Sequence, residues 1–438
     1  MAPSHQQSRR SFLRLAAAAG VGTALAPLTG WSRSSPPPAP PITEIRVLRV
    51  PGSFYRPIAM NAYDDVPKGK AGTVRLVHAT LEDGTVGVGV EGYDRINDET
   101  VAGLRDRMIG TNPLAAYSWN GDSIQSVASD YQDFLLSTRY AWFESVLLDL
   151  AGQVMGKPVY ALFGSPVRAG IDAYDGTLYF KDVELDTGPE VIGKLAARIQ
   201  DDGYQALKMK VGRPNKWMEP RPGLKRDIEA VTQARRAVGS NFTLMADANN
   251  GYGGNLKLGL QFLKSVDSHD LYWIEELIPE QQHTYSQLRQ TMFSENIDIR
   301  TAEGENAMWA DGAPIQKPKD VEMWVSNNHF DVVQPDLRTV GFANALRMAD
   351  IANRHGAALV PHNWQSEMGK LMGIHLAKLR ENVRFVEDDR WSNYALDTSE
   401  YQFRDGQWKA PDAPGWGVRL SEHYDRFAEA EEERVIAG

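Results

Sequence analysis

Residues 206–211 (ALKMKV), 242–247 (FTLMAD) and 271–275 (LYWIE) decide the fold of this chain. Each is a short apolar run of strand length that carries charged side chains at or near its end, and amphipathic stretches separate the three. Similar runs occur at residues 171–174, 297–302, 331–334, 357–360 and 383–386. Spacings of about 26 to 36 residues between strand starts are typical of strand-plus-helix units in a parallel sheet. Eight such units in about 220 residues favour a β/α barrel over an open doubly wound sheet.

No glycine-rich G-x-G-x-x-G or P-loop motif follows any of these strands, which removes support for the nucleotide-binding alternative. The 438 residues are enough for a second domain. Residues 42–165 begin with strand-like alternation and then become helical, so we predict an α+β domain there. Residues 166–395 contain the predicted barrel. Residues 396–438, with a turn at Asp405-Gly406-Gln407, are predicted to return to the first domain.

Residues 1–41 have the features of an export signal followed by a linker. Arg9 and Arg10 precede a weakly hydrophobic run at 15–29, the arrangement of a twin-arginine signal. Residues 31–41 are rich in Ser and Pro. The apolar run is shorter than the roughly 20 residues that a membrane span needs. We therefore expect a periplasmic or otherwise exported protein with no membrane association once the signal is removed.

The charge balance bears on the kind of partner. The formal net charge is −10, and removal of residues 1–35, which hold four arginines and no acids, takes it to −14. This balance argues against nucleic acid or an anionic membrane as a partner. A small anionic substrate then requires a local positive site. The absence of cysteine excludes disulfides, thiolate nucleophiles and Cys-ligated zinc.

Carboxylates follow three consecutive predicted strands. Asp247, Glu275 and Glu305 stand where the carboxyl ends of barrel strands converge on one face. Three inward carboxylates repel one another unless a cation lies between them. All-oxygen ligation favours Mg²⁺ over Zn²⁺. Strand alternation alone leaves the neighbours Glu276 and Glu303 open as ligands.

Nitrogen-bearing side chains occupy other strand ends. Lys208 and Lys210 are two residues apart in one strand, so their side chains lie on the same face. Two inward-facing lysines require negatively charged groups nearby. Asp336 and His362 end consecutive strands. A buried carboxylate beside an imidazole fixes its tautomer and supports its cationic form, which suits an acid/base role.

Together these residues resemble the mandelate racemase subgroup of the enolase superfamily, within the mandelate racemase and muconate lactonizing enzyme family. The resemblance covers about residues 42 to 425 and implies an enolase-type modified (β/α) barrel with an α+β capping domain. The matching motifs are Lys208-Met209-Lys210, Asp247-Ala248-Asn249, Glu275-Glu276, Ala302-Glu303-Gly304-Glu305, Gln334-Pro335-Asp336, Pro361-His362 and Val386-Glu387. The chain departs from the family pattern after the paired glutamates, where Leu277-Ile278 precedes Pro279, and at Arg338, where a lysine is frequent. Family register favours Glu275 and Glu305 as ligands.

The resemblance also implies roles for these residues. Mg²⁺ and Lys208 would hold the substrate carboxylate and stabilise an enediolate. Lys210 would be the base on one face, with its pKa lowered by Lys208, and His362, oriented by Asp336, would serve the other. Glu387 would hydrogen-bond to the carboxylate as a protonated acid. Asn249 and Trp364 are further candidate substrate contacts.

We expect dehydration of an acid sugar to a 2-keto-3-deoxy acid. Racemisation, epimerisation or cycloisomerisation of a hydroxy acid on the same site is the alternative, and a non-catalytic sugar-acid binding protein is a second one. Binding alone needs neither Lys210 nor His362. The resemblance further implies a homo-oligomer.

Overall fold

A computed structural model describes residues 35–92, 95–305 and 318–437 of the chain. The predicted export signal and the first part of the linker, residues 1–34, lie outside the described residues, so export stays a prediction. None of the helices within the described ranges is long and apolar enough to cross a membrane.

The first domain is built on an antiparallel meander of β1 (Ile42–Ile58), β2 (Gly69–Leu81) and β3 (Val86–Glu91). Its other elements are α1 (Asp98–Met108), the hairpin of β4 (Tyr117–Asn120) and β5 (Ser123–Val127), α2 (Gln132–Leu135), α3 (Glu144–Met155) and α4 (Val159–Phe163). Helix α3 packs so closely on β3 that a Cβ atom at Gly89 would lie 2.2 Å from the Ser145 Oγ, and only glycine fits there. This α+β domain is the capping domain that the resemblance implies.

The eight predicted barrel strands are present. The first seven pair in parallel in chain order, and the eighth pairs in parallel with the first. They are β6 (Ile171–Leu178), β7 (Ala206–Lys210), β8 (Thr243–Asp247), β9 (Leu271–Glu275), β10 (Arg300–Glu303), β11 (Val332–Val333), β12 (Ala358–Leu359) and β13 (Phe385–Asp388). A hydrogen bond from Leu359 N to Asn382 O (3.1 Å) joins β12 to the segment before β13. The barrel prediction is confirmed.

Helices surround the strands of the barrel. They are α5 (Lys181–Glu184), α6 (Glu190–Asp201), α7 (Pro220–Val238), α8 (Leu256–Val266), α9 (Gln282–Glu295), α10 (Pro318–Ser326), α11 (Leu337–Val340), α12 (Phe342–Arg354) and α13 (Glu367–Ala377). Their apolar faces cover the outward side chains of the strands, such as Leu207, Met209 and Leu244, which are fully buried.

One layer of side chains inside the barrel places the site. Tyr174, Ala206, Met245, Trp273, Ala302, Val332, Val360 and Phe385, drawn from the strands and their immediate ends, form a separate buried cluster. Because side chains alternate along a strand, Lys208, Asp247 and Glu275, each two residues beyond a member of this layer, also point inward. The packed layer therefore forms the floor beneath the charged residues at the carboxyl ends.

The C-terminal segment divides between the two domains. It comprises β14 (Trp391–Asn393), β15 (Leu396–Asp397), β16 (Gln402–Arg404), β17 (Gln407–Lys409), β18 (Arg419–Leu420), α14 (Tyr424–Glu431) and β19 (Glu432–Ala437). Strand β19 pairs with β1 of the capping domain, and so does β14, which precedes the segment 396–438 that was predicted to return there. The β16–β17 hairpin instead joins the barrel, where β17 pairs antiparallel with β6, so the prediction is wrong for these residues. Trp408 anchors the hairpin by donating from Nε1 to Asp388.

Candidate active site

Lys208 lies at the centre of the charged cluster on the inward face of β7. Its side chain is 1% exposed. The ammonium Nζ lies 2.7 Å from Glu275 Oε1, 2.8 Å from Glu387 Oε1 and 3.6 Å from Asp247 Oδ2. Burial lowers the pKa of Lys208, but the attraction of these carboxylates outweighs burial and holds the pKa well above its ordinary value. Lys208 is therefore a fixed positive charge.

Lys210 lies two residues further along β7 and forms an ion pair with Asp247 Oδ2. Its ammonium also lies over the ring of Tyr179, 5.0 Å from the centroid. Burial lowers the pKa of Lys210 and Lys208 lowers it further, but the attraction of Asp247 gives a net rise. We expected Lys208 to lower the pKa of Lys210. The attraction of the adjacent Asp247 carboxylate is larger than the repulsion from the Lys208 ammonium, so the pKa of Lys210 is raised instead.

The three predicted metal ligands do not all face one point. The oxygens of Glu275 and Glu305 and a ring nitrogen of His362 lie within 4.8 Å of one another. Asp247 is turned toward the two lysines, while its Oδ1 accepts from Asn249 N at 2.8 Å. Glu275 Oε2 also accepts from Gln334 Nε2 at 2.8 Å.

This donor set fits a divalent cation. Oxygens on opposite sides of one Mg²⁺ ion lie about 4.2 Å apart. The oxygens of Glu275 and Glu305 lie within 4.8 Å of each other, so at most a small side-chain adjustment lets them share an ion. Asp247 shares Lys208 with Glu275, so it lies at the same cluster. Asn249 Oδ1 is buried and has no hydrogen-bond partner among the described residues. The surplus of buried carboxylate and amide oxygens suits a hard cation rather than a soft one.

His362 follows β12 and is buried against two glutamates. Its Nδ1 lies 3.2 Å from Glu305 Oε2 and 3.3 Å from Glu387 Oε2. Burial lowers the pKa of His362, but Glu305, Glu387 and Asp336 together raise it to about 9. The imidazolium form is therefore favoured near neutral pH in this arrangement.

Asp336 does not orient His362 by a hydrogen bond, which differs from our expectation. Its carboxylate accepts from the backbone N and the guanidinium Nε and Nη2 of Arg338, two residues further along. Neither ring nitrogen of His362 has a hydrogen-bond partner among the described residues. Arg338 folds back onto both carboxylate oxygens, and the negative charge of Asp336 raises the pKa of His362.

Glu387, at the end of β13, lies between the lysine and the histidine. Its Oε1 faces Lys208, and its Oε2 accepts from Asn363 N at 2.9 Å and faces His362. Burial raises the pKa of Glu387, but Lys208 and His362 reverse this and hold the pKa below its ordinary value. Two cationic groups favour the carboxylate form in this arrangement, and a protonated Glu387 beside a substrate carboxylate stays a prediction.

The two remaining predicted contacts occupy opposite sides of the cluster. Asn249 Nδ2 donates to Glu276 Oε2 at 2.9 Å. The Trp364 ring packs 5.4 Å from the Tyr179 ring, over which Lys210 lies, and 4.8 Å from the ring of Phe54 in the capping domain. Trp364 thus forms part of the contact between the two domains beside the site.

Sequence reasoning missed Tyr63, which reaches the site from the loop between β1 and β2. Its hydroxyl donates to Glu276 Oε1 at 3.0 Å and accepts from Asn250 Nδ2 at 2.8 Å. On the barrel side, Lys216 Nζ donates to the carbonyl of Tyr63 at 2.6 Å. No local pattern marks this tyrosine, since its partners are more than 150 residues away in the chain.

Comparisons with known proteins agree with this geometry. Residues 191–424, more than half of the chain, match the family model described as Enolase C-terminal domain-like. The chain is 26% identical over 360 residues to D-galactarolactone cycloisomerase of Agrobacterium fabrum, an alignment that covers 79% of this chain and 88% of that protein. It is 27% identical over 370 residues to L-rhamnonate dehydratase of Saccharopolyspora erythraea, covering 79% and 83% respectively. Among solved structures, galacturonate dehydratase of a Geobacillus species, complexed with D-galacturonate and 5-keto-4-deoxy-D-galacturonate, superposes with a TM-score of 0.75 at 25% identity over 89% of this chain and 97% of that chain.

Proposed function

This chain belongs to the enolase superfamily, and from that premise we propose that it is an enzyme that removes the proton α to the carboxylate of an acid sugar and eliminates water to form a 2-keto-3-deoxy acid. The observation that carries the proposal is the arrangement of three buried carboxylates around Lys208, with Lys210 and His362 on its margins. Charges this deeply buried cost stability unless they serve a function.

We propose that the cation is Mg²⁺ and that Asp247, Glu275 and Glu305 hold it. When bound, it supplies positive charge that favours the substrate carboxylate and the dianionic enediolate derived from it. The support is the all-oxygen character of these ligands and the closeness of Glu275 and Glu305, whose oxygens lie within 4.8 Å of each other. Asp247 lies at the same cluster, where it faces Lys208. Lys208, a fixed cation 2.7 Å from Glu275, is placed to neutralise the same substrate carboxylate.

Lys210 is the proposed base. A cation held by Asp247 would draw that carboxylate away from Lys210 and so favour the neutral amine. The neutral amine takes the α-proton, and the C–H electron pair becomes the double bond of the enediolate. The inward face of β7 directs this amine toward the same space as Lys208. The Tyr179 ring beneath it restricts its position.

His362 is the proposed acid. As an imidazolium it gives a proton to the β-hydroxyl, which leaves as water, and the resulting enol becomes the 2-keto-3-deoxy acid by proton transfer to carbon. Glu387, 3.3 Å from the ring and hydrogen-bonded to Asn363 N, keeps the imidazole charged and in place.

A second candidate is cycloisomerisation or epimerisation on the same site. The likeness to a D-galactarolactone cycloisomerase favours it, and it uses the same α-proton abstraction. The two candidates differ in the step after abstraction. Elimination needs a protonated leaving hydroxyl, whereas epimerisation returns a proton to the α-carbon.

The test is α-proton exchange in D₂O, followed by NMR, with Mg²⁺ and a panel of aldonic, uronic and aldaric acids. We expect a 2-keto-3-deoxy product from at least one acid, and its loss in Lys210→Ala and His362→Ala. Lys225→Ala is the matched control, because the Lys225 side chain is 79% exposed and pairs with Glu229 on helix α7, outside the charged cluster. Ligand binding that survives both site substitutions, with neither exchange nor product across the panel, would instead identify a sugar-acid binding protein.

A further inference from the structure

The proposed acid, His362, lies on a short loop of residues 362–366, in the connection between β12 and α13. Its ring Nδ1 is 3.3 Å from Glu387 Oε2 on β13, and the backbone N of the next residue, Asn363, donates to the same oxygen at 2.9 Å. The imidazole is thus attached to the barrel through this loop. Its place beside Glu387 depends on how firmly the loop is held to the end of β13.

A second carboxylate, Asp389, lies directly after β13 and is 1% exposed. Three N–H groups of the described residues donate to it. Its Oδ1 accepts from Asn363 Nδ2 at 3.3 Å and from Trp391 N at 3.2 Å, and its Oδ2 accepts from Gln365 N. A carboxylate offers only acceptors and can satisfy all three, whereas a side-chain amide would turn its own NH₂ toward at least one of these donors. Two of the three donors belong to the 362–366 loop, so Asp389 ties that loop to the barrel.

The loop residue bound by Asp389 has an unfavourable backbone conformation. Gln365 has φ of 53°, in the left-handed region, which a residue with a side chain occupies at a cost of about 1 kcal/mol or more. Its side-chain Nε2 donates to the carbonyl of Thr73 on β2 at 3.3 Å. Strand β2 passes so near that a Cβ atom at Gly72 would lie 2.4 Å from this Nε2. Gln365 is therefore held between the capping sheet and Asp389, and the hydrogen bond to Asp389 helps to maintain its strained conformation.

The neighbouring acid, Asp388, has a different set of partners. It pairs with Lys370 Nζ at 3.3 Å and accepts from the Tyr204 hydroxyl at 2.7 Å and from Trp408 Nε1 at 2.9 Å. These partners come from α13, from the residues before β7 and from the β16–β17 hairpin, and none of them belongs to the loop. Two adjacent buried carboxylates are thus divided between two tasks, and Asp389 is the one that faces the loop of the proposed acid.

We propose that Asp389 is a positioning residue, which holds the 362–366 loop to the end of β13 and so places His362 where it can protonate the leaving hydroxyl. Asp389 acts through the loop and not by contact with the substrate. The role of His362 in this proposal rests on the proposed function. A displacement of about 1 Å in a reacting group can cost about 100-fold in rate, so a loosened loop should slow the step that needs the acid.

The principal variant is Asp389→Asn, which keeps the shape of the side chain and replaces one acceptor by a donor. Asn363→Ala removes one donor to Asp389 and is the milder variant, to be used also if Asp389→Asn does not fold. Asp149→Asn is the matched control. Asp149 lies in α3 of the capping domain, is fully buried and likewise accepts from two backbone N–H groups, those of Val88 and Trp416, each at 2.8 Å.

The assay compares two substrates: the acid sugar that wild type dehydrates, and its analogue with fluorine in place of the β-hydroxyl. Fluoride leaves as an anion and does not need the acid, whereas hydroxide must be protonated to leave as water. Rates are measured with Mg²⁺ at pH 8.5, because burial and the adjacent Asp388 raise the pKa of Asp389 to about 7. Hydrogen exchange of the backbone amides, followed by mass spectrometry of the peptide that contains residues 362–366, is the readout that does not depend on turnover.

We expect Asp389→Asn to lower kcat for the hydroxy acid by roughly 10- to 100-fold and for the fluoro analogue by less than about 3-fold. Asn363→Ala should show the same selectivity with a smaller loss. Asp149→Asn should leave the ratio of the two rates as it is in wild type. The loop peptide should exchange roughly 10-fold faster in Asp389→Asn, because a hydrogen bond to a charged group is lost, and at the wild-type rate in Asp149→Asn.

Unchanged rates in Asp389→Asn, or an equal loss on both substrates, would overturn the inference while leaving the proposed function intact. An equal loss would place the effect on the fold as a whole or on the proton abstraction by Lys210, and not on the acid. If wild type turns over no acid, the proposed function fails, and the exchange of the loop still decides whether Asp389 holds it. Faster exchange confined to the loop peptide would support the inference, and unchanged exchange would refute it.

Discussion

Replacement of Glu144 by Gln should make the protein more stable above neutral pH and leave it unchanged in acid. Glu144 begins α3 in the capping domain and is fully buried. Its Oε2 accepts from Ala343 N, at the start of barrel helix α12, at 3.1 Å. Its Oε1 has no hydrogen-bond partner among the described residues. A glutamine keeps the acceptor and removes the charge.

The size of the effect follows from the titration of this carboxyl. Burial raises the pKa of Glu144 to about 7 from 4.5, against the lowering effect of the Ala343 and Phe342 backbone N–H groups and the Tyr117 hydroxyl. The folded state therefore binds the proton more tightly than the unfolded chain does. The contribution to stability is fully present below pH 4.5 and is lost as the pH rises through 7. A difference of this size corresponds to about 3 kcal/mol in full, of which roughly three quarters falls between pH 5 and pH 8.5.

The assay is urea unfolding followed by tryptophan fluorescence, for wild type and Glu144→Gln at pH 5 and pH 8.5. Asp149 and Asp389, whose pKa values burial also raises to about 7, titrate in both proteins, so only the difference between the two curves reports on Glu144. Glu422→Gln, at an 87% exposed side chain, is the control and should show no difference that depends on pH. If the Glu144→Gln difference is the same at both pH values, the assignment of a buried, destabilising carboxylate is refuted.

Three further outcomes are expected. Chelation with EDTA should reduce α-proton exchange in D₂O by about 10³-fold or more, with recovery on addition of Mg²⁺, and undiminished exchange would contradict a metal role. Arg213→Met should lower the free energy of unfolding by about 3 to 5 kcal/mol in urea titrations, because it removes the buried cation that pairs with both Asp182 and Asp227, of which Asp182 keeps only Arg226 as an ion-pair partner; a loss below 1 kcal/mol would contradict a stabilising role for these ion pairs. Tyr63→Phe removes a hydrogen bond to Glu276 between the capping loop and the barrel, so KM should rise about 3- to 10-fold in steady-state kinetics; an unchanged KM would exclude a role for this bond in substrate binding.

The fold was largely predictable, because its signals are local. All eight barrel strands lie within a few residues of their predicted positions, and their parallel order is the predicted one. Alternation along each strand also placed Lys208, Lys210, Asp247 and Glu275 on the inward face, where the structure has them buried together. Strand-end position and side-chain parity are enough to gather these groups at one face of a barrel.

The pairing of those groups was much less predictable. Asp336 was expected to contact His362, but Arg338 takes both of its carboxylate oxygens. Lys210 was expected to have a lowered pKa, but Asp247 reverses the sign. Both outcomes depend on which of several charges comes closest, and electrostatic energy changes steeply over the first few ångströms in a buried site.

The sequence by itself determined the barrel, the capping domain and the identity of the charged residues at the strand ends, because apolar periodicity is set by neighbouring residues in the chain. Tertiary structure alone decided that the β16–β17 hairpin joins the barrel, that Tyr63 reaches Glu276 and that Arg49, Arg75 and Arg338 line one cavity. These contacts join segments that are distant in sequence. Their partners are chosen by the packing of whole layers, and no pattern within a single segment records that choice.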